Sequence, residues 1–154
     1  MQTIYVDADG CPVKEEIYKV ARRYNWDVYV VSNRPIRVPF EQGIHPVVVG
    51  GAFDAADDWI AERAGPGDIA VTADLPLAKR CLDRGASVLD PKGRVHDENS
   101  IGEALASREL LDQLRQMGVN TGGPAPRTKR DRSTFLSRLD QMIQQLRRQH
   151  GLGT

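Results

Sequence analysis

Thr3-Ile4-Tyr5-Val6-Asp7-Ala8-Asp9-Gly10 and Asp68-Ile69-Ala70-Val71-Thr72-Ala73-Asp74 decide the reading of this chain. Each is a short β-rich run that leads into acids, and each is followed by a helical pattern. After the first, Pro12 suits a helix's first turn, and Val13, Ile17, Val20, Ala21 and Tyr24 recur at helical spacing over Val13–Tyr24. After the second, a helix is expected over Leu75–Arg84, with Gly85 as the residue just past its end. DVYVVS (27–32), Val47–Val49 and SVLD (87–90) read as further strands, and Asp54–Ala64 as a helix stopped by Gly65-Pro66-Gly67. Strands alternating with helices at this spacing build βαβ units around a mainly parallel sheet. Runs apolar on both faces belong to strands covered on both sides. The expected fold is therefore α/β, a three-layer sandwich with a mainly parallel central sheet.

Beyond residue 97 the strand signal stops. Ser100–Met117 reads as a helix with Ile101, Ala104, Leu105, Leu111 and Leu114 inward. The Gly/Pro-rich stretch 118–128 follows, and then a last helix over Arg130–Gln149 carrying Phe135, Leu139, Met142 and Leu146 on one face. Residues 1–154 are expected to form one domain, with 119–154 a basic loop and helix packed on it.

The 154 residues hold 21 Lys+Arg and 21 Asp+Glu, but the charge is sorted along the chain. Residues 1–74 carry 12 acids and 7 bases, whereas residues 119–154 carry 2 acids and 7 bases. Overall neutrality thus does not exclude a polyanionic ligand, because local charge decides. Hydrophobic content of 40% is ordinary for a globular protein, and no apolar run approaches the roughly 20 residues of a membrane span. The N-terminus lacks the basic and apolar regions of a signal peptide. Cys11 and Cys81 have no metal spacing, nor do His45, His96 and His150, so the chain is expected to be cytoplasmic with reduced thiols.

In open α/β sheets ligands bind beyond the carboxyl ends of the strands. Asp7 and Asp9 follow the first strand and Asp74 follows the fourth, while Asp54, Asp57 and Asp58 occupy the start of a helix. Converging carboxylates are unfavourable unless a cation or protons neutralise them. Oxygen ligands suit Mg²⁺ or Mn²⁺, which can activate water and stabilise charge on a phosphoryl centre. The alternative for Asp54 and Asp74 is helix capping, and Asp68 reads as a turn residue. Asp7 is harder to dismiss, since a solitary buried carboxylate at a strand end is costly.

Arg127, Lys129, Arg130 and Arg132 cluster after Gly122-Gly123, and Arg outnumbers Lys 16 to 5 in the chain, which suits bidentate phosphate contact. Arg127, Arg130 and Arg132 are candidate substrate-binding residues, and Asn33 and Arg34, at the end of the second strand, are candidates for the same cleft. Arg138, Arg147 and Arg148 fit a solvated helix face equally well. Cys11 precedes a helix start, which lowers a thiol pKa, but Asp7 and Asp9 oppose this, so it is not assigned a catalytic role. Trp26 and Trp59 are read as packing residues.

Asp7-Ala8-Asp9-Gly10 and Val30-Val31-Ser32-Asn33 resemble the first two motifs of the haloacid-dehalogenase-like phosphatases. That resemblance makes Asp7 a nucleophile and Asp9 an acid/base. Gly67-Asp68 with Asp74 departs from the family's metal motif, because five residues separate the two acids and Asp68 precedes its strand. A second resemblance covers nearly the whole chain. VDADGCPVKEEI (6–17), GAFDAADDWI (51–60), GPGDIAVTADLPLA (65–78), TGGPAPRTKRDRSTF (121–135) and LDQM (139–142) resemble the bacterial YaiI/YqxD family, with Gly10 in place of its usual alanine. That family is similar in fold to PIN-like nuclease domains. By this resemblance Asp7, Asp57 and Asp74 are metal ligands, with Asp9 or Asp54 adding to the site. The expectation is a Mg²⁺- or Mn²⁺-dependent nuclease or phosphodiesterase acting on RNA, with Asp7, Asp9, Asp57 and Asp74 catalytic. An Asp-nucleophile phosphatase and a non-catalytic RNA- or protein-binding module are the alternatives.

Overall fold

The computed structural model describes residues 2–52, 54–119 and 128–149. Six strands form one sheet: β1 (Thr3–Asp7), β2 (Asp27–Ser32), β3 (Ile44–Val48), β4 (Ile69–Val71), β5 (Ser87–Leu89) and β6 (Val95–His96). Their order is β3-β2-β1-β4-β5-β6, parallel throughout except for β6, which runs antiparallel to β5. The described helices are α1 (Lys14–Tyr24), α2 (Ala55–Arg63), α3 (Leu75–Asp83), α4 (Glu98–Gln116) and α5 (Lys129–Gln149).

Side chains alternate across a strand, and this divides the core in two. Ile4, Val6, Val28, Val30, Ile69, Val71 and Leu89 face α1 and α5, packing with Ile17, Val20, Phe135, Leu139 and Ile143. Tyr5, Val31, Ala70 and Val88 face the other way, onto Ile60 of α2, Leu77 and Cys81 of α3 and Ile101 of α4. Helices thus cover both faces, giving the expected three layers. Asp7 lies two residues beyond Tyr5 and so belongs to the α2–α3 side.

The last helix packs as its spacing requires. Phe135, Leu139, Met142, Ile143 and Leu146 are all buried. Burying such side chains contributes about 1.5–3 kcal/mol each before entropy is counted. The start of α5 is held against the β5–β6 turn, where Gly93 has φ +92° and a Cβ would meet Phe135 N at 2.9 Å.

Most element ends shift by a residue or two, and β3, β6, α1 and α4 depart from expectation in ways that have a physical reason. β3 starts at Ile44 and runs through Pro46. Val28 N donates to Gly43 O at 2.8 Å and Val49 N donates to Ser32 O at 2.9 Å, so the odd-numbered residues direct their backbone groups at β2. The missing N–H of Pro46 therefore falls on the open side of an edge strand, where it leaves no ladder bond unmade. β6 was not legible, because two residues show no alternation. α1 starts at Lys14, leaving Cys11, Pro12 and Val13 in the entry turn. In α4 only Ile101 is buried; Ala104, Leu105 and Leu114 are half-buried and Leu111 is exposed, because no described helix covers its second half. No described helix is long and apolar enough to cross a membrane.

Candidate functional site

The strand order reverses between β1 and β4: β2 and β3 lie on one side of this junction, β5 and β6 on the other. Two loops leaving such a junction diverge, and a crevice opens between them. Here the diverging segments are Asp7–Cys11 after β1 and Thr72–Asp74 after β4. They line a cleft of about 280 Å³ together with Asn33, Ala56, Asp57 and Pro91. Asp7, Asp9, Asp57 and Asp74 all face it.

Each carboxylate reaches the cleft for a local reason. Asp7 is the last residue of β1, and the Thr72 hydroxyl donates to its Oδ2 at 2.8 Å. The same hydroxyl accepts from Asp74 N at 3.0 Å, so one threonine couples the two strand ends. Asp74 is the N-cap of α3, with Oδ1 accepting from Leu77 N at 2.9 Å. Asp9 is held from β2: Ser32 Oγ donates to its Oδ1 at 3.0 Å and Asn33 N to its Oδ2 at 3.3 Å. Asn33 in turn accepts from Ala56 N at 3.3 Å, tying the start of α2 to the end of β2. Asp57 follows in the first turn of α2.

The electrostatics are those of crowded, partly dehydrated acids. Burial is the main cause that pushes Asp7 up to about 6; the Thr72 hydrogen bond opposes this, and Asp57, Asp74 and Asp9 add to it. Asp57 is also raised, first by burial and then by Asp74, while Arg80 works against the rise. Arg80 itself is paired with Asp58 at 2.8 Å. Among the described residues, Asp7 Oδ1, Asp74 Oδ2 and both Asp57 oxygens accept no hydrogen bond, so acceptor capacity remains for a ligand. An all-oxygen anionic set fits a hard divalent cation in donor type and charge. It does not form a closed cage: no group of three or more His, Cys, Asp or Glu side chains among the described residues is arranged to hold an ion. Fit is by chemistry, and a complete ligand set requires side-chain rotation.

Asn33 lines the acidic cleft, whereas Arg34 is exposed beside it and contributes only its backbone N–H, to Ser32 Oγ at 3.2 Å. Arg130 and Arg132 are exposed in the first turn of α5 and do not line the cleft. Arg127 and Gly122-Gly123 lie outside the described residues. Asp54 is at the N-cap position of α2 without a side-chain cap bond, and it is exposed. Asp68 is buried at the opposite end of β4, accepting from Thr3 N at 3.3 Å and Gly65 N at 3.1 Å, a turn-closing role. It is thereby removed from any pairing with Asp74. Cys11 is buried in the cleft wall. Sequence reading missed Ser32 and Thr72. The available signal was a hydroxyl residue ending or directly following an apolar strand, as Ser32 does for β2 and Thr72 for β4.

The profile described as "Uncharacterized BCR, YaiI/YqxD family" matches residues 5–145, nearly the whole chain. The chain belongs to the YaiI/YqxD family. It is similar to the UPF0178 protein of Azorhizobium caulinodans, 58% identical over 146 residues covering 95% of this chain and 92% of that one. UPF0178 proteins of Rhodopseudomonas palustris (57% over 145 residues, 94% of each chain) and Brucella ovis (56% over 146 residues, 94% of this chain and 91% of that one) are similar over the same extent. The YaiI/YqxD match begins within β1 and ends within α5, and so includes all four cleft aspartates. No solved structure matches the chain significantly.

Proposed function

We propose that this YaiI/YqxD protein is a divalent-metal-dependent phosphodiesterase acting on RNA. The observation that carries the reading is the convergence of Asp7, Asp9, Asp57 and Asp74 on one cleft at the sheet's switch point, with Asp7 held near pKa 6. Four acids here would repel any phosphate on their own, so the proposed reaction depends on a cation. Asp7, Asp57 and Asp74 would hold it, through oxygens that make no other hydrogen bond among the described residues. Bound Mg²⁺ or Mn²⁺ supplies Lewis-acid activation of water and neutralises charge building on the phosphoryl group. The chain's own residues set the geometry around it. Thr72 fixes Asp7 and the Asp74 backbone in one orientation, and Ser32 with the Asn33 amide fixes Asp9. Asp9, restrained but close to the other acids, orients the attacking water. The resemblance of the family to PIN-like nucleases supports the same residues in these roles.

The test is cleavage of single-stranded RNA by the purified protein in Mn²⁺, compared with Asp74→Asn. Asparagine still caps a helix, so α3 is retained while a ligand charge is lost. Cleavage is expected from the wild type and is lost in the variant. Cleavage that survives the substitution overturns the proposal.

A further inference from the structure

A second cleft opens beside the acidic one, and Ala73 lines both. Its volume is about 430 Å³, and its walls come from α4, the start of α3 and the β5–β6 hairpin. The hairpin turn separates the two clefts: Pro91 faces the acids, whereas Asp90 and Arg94 face the second cleft. Leu75, Ala104 and Leu111 make part of that cleft apolar, and Arg94, Arg108 and Arg115 are its cations. Arg115 is engaged by Asp112 at 3.0 Å. Arg94 and Arg108 are exposed and make no side-chain hydrogen bond or ion pair with described residues. The Asp90 carboxylate is turned into its own loop, accepting from Lys92 N at 2.6 Å, which leaves Glu103 as the other acid lining the cleft.

We infer that this cleft binds single-stranded RNA flanking the cleaved bond, with phosphates on Arg94 and Arg108 and bases against Leu75, Ala104 and Leu111. The inference rests on reading the acidic cleft as a phosphodiesterase centre. The order of charges matches what such a substrate requires. One phosphate must enter among carboxylates and a cation, and its neighbours along the chain need positive charge a short way off. Arginine meets phosphate through a planar fork of donors, and phosphate contacts set the register of the bound strand. An apolar surface between those contacts suits unstacked bases, which only a single strand offers. The partner surface for the acidic site is thus built by α4 and the hairpin, and none of the described arginines of α5 lines it.

The test is binding of a 5′-fluorescein-labelled oligouridylate to the full chain, followed by anisotropy in EDTA over a salt series. Arg94→Glu/Arg108→Glu is expected to weaken binding tenfold or more and to reduce the salt slope by about 1.4, two contacts at about 0.7 each. Arg37→Glu/Arg138→Glu, with the same net charge, serves as control and is expected to bind nearly as the wild type does. A thermal melt checks folding, and Arg94→Ala/Arg108→Ala replaces the reversal pair if that pair does not fold. Equal losses in both pairs, wild-type affinity in the Arg94/Arg108 pair, or no oligouridylate binding at all overturns the inference. An arginine effect in a protein that shows no Mn²⁺-dependent cleavage supports the cleft and overturns only the hydrolase reading.

Discussion

Replacing Asp7 by asparagine is expected to make the metal-free protein more stable at pH 8. The Asp7 carboxyl titrates near 6 in the folded chain against 3.8 for its ordinary value, chiefly because burial disfavours the charged form. A raised carboxyl pKa contributes stability that is full below the unfolded value and is lost as pH rises through the folded one. Each unit is worth about 1.36 kcal/mol, so the ionised group costs about 2–3 kcal/mol at pH 8. Near pH 5 the cost falls to about half of that, since the folded form is then mostly protonated while the unfolded form is not. Asparagine is neutral at both pH values and can still accept the Thr72 hydrogen bond. For a chain of this length the gain corresponds to a melting-temperature rise of about 5–10 °C at pH 8. The assay is thermal denaturation of the wild type and Asp7→Asn in EDTA from pH 5 to 8. Buried His96, whose pKa is lowered by burial, gives both proteins an opposite pH slope, with stability lost as pH falls. The difference between the two curves removes that contribution. A difference that does not grow with pH, or an Asp7→Asn protein less stable at pH 8, refutes the electrostatic account of the cleft.

Further substitutions probe the supports of the site and fold. Thr72→Val removes the one hydrogen bond that lowers the Asp7 pKa, so an NMR titration should place Asp7 above its wild-type value. Gly93→Ala forces a Cβ into a left-handed turn against the α5 backbone, and should cost about 2–4 kcal/mol in urea denaturation. Leu139→Ala opens a hole between α5 and the sheet and should cost about 2–5 kcal/mol in the same assay. Manganese should raise the melting temperature of the wild type but not of Asp7→Asn, closing the gap between them, as differential scanning fluorimetry would show.

Much of this protein is written locally. TIYVD, DVYVVS and DIAV carry enough β-branched and aromatic residues to declare strands without help from the rest of the chain. The stripe Phe135, Leu139, Met142, Leu146 declares the buried face of α5. The acids at Asp7, Asp9 and Asp74 could be assigned to strand ends because a parallel α/β sheet puts functional groups there. What failed lacked a local signal. Pro46 reads as a break, and only the edge position of β3 makes it tolerable. Val95–His96 is a strand solely because β5 lies beside it. α4 has the pattern of a packed helix, yet its second half has no described neighbour to pack on.

Tertiary structure alone decided the composition of the cleft. Sequence placed acids at the ends of separate elements, and the order β3-β2-β1-β4-β5-β6 brought Asp7 and Asp74 to the one junction where the loops diverge. Asp68, which precedes β4, lies at the opposite end of the sheet, as its place in the sequence already indicated. The opposition of an acidic beginning and a basic end is a property of composition, but which arginines lie beside the acids is a property of packing. Hydrophobic periodicity fixes which face of each element is buried. It carries no information about which element lies next, because that depends on sheet order, and sheet order is set by contacts between residues far apart in the chain.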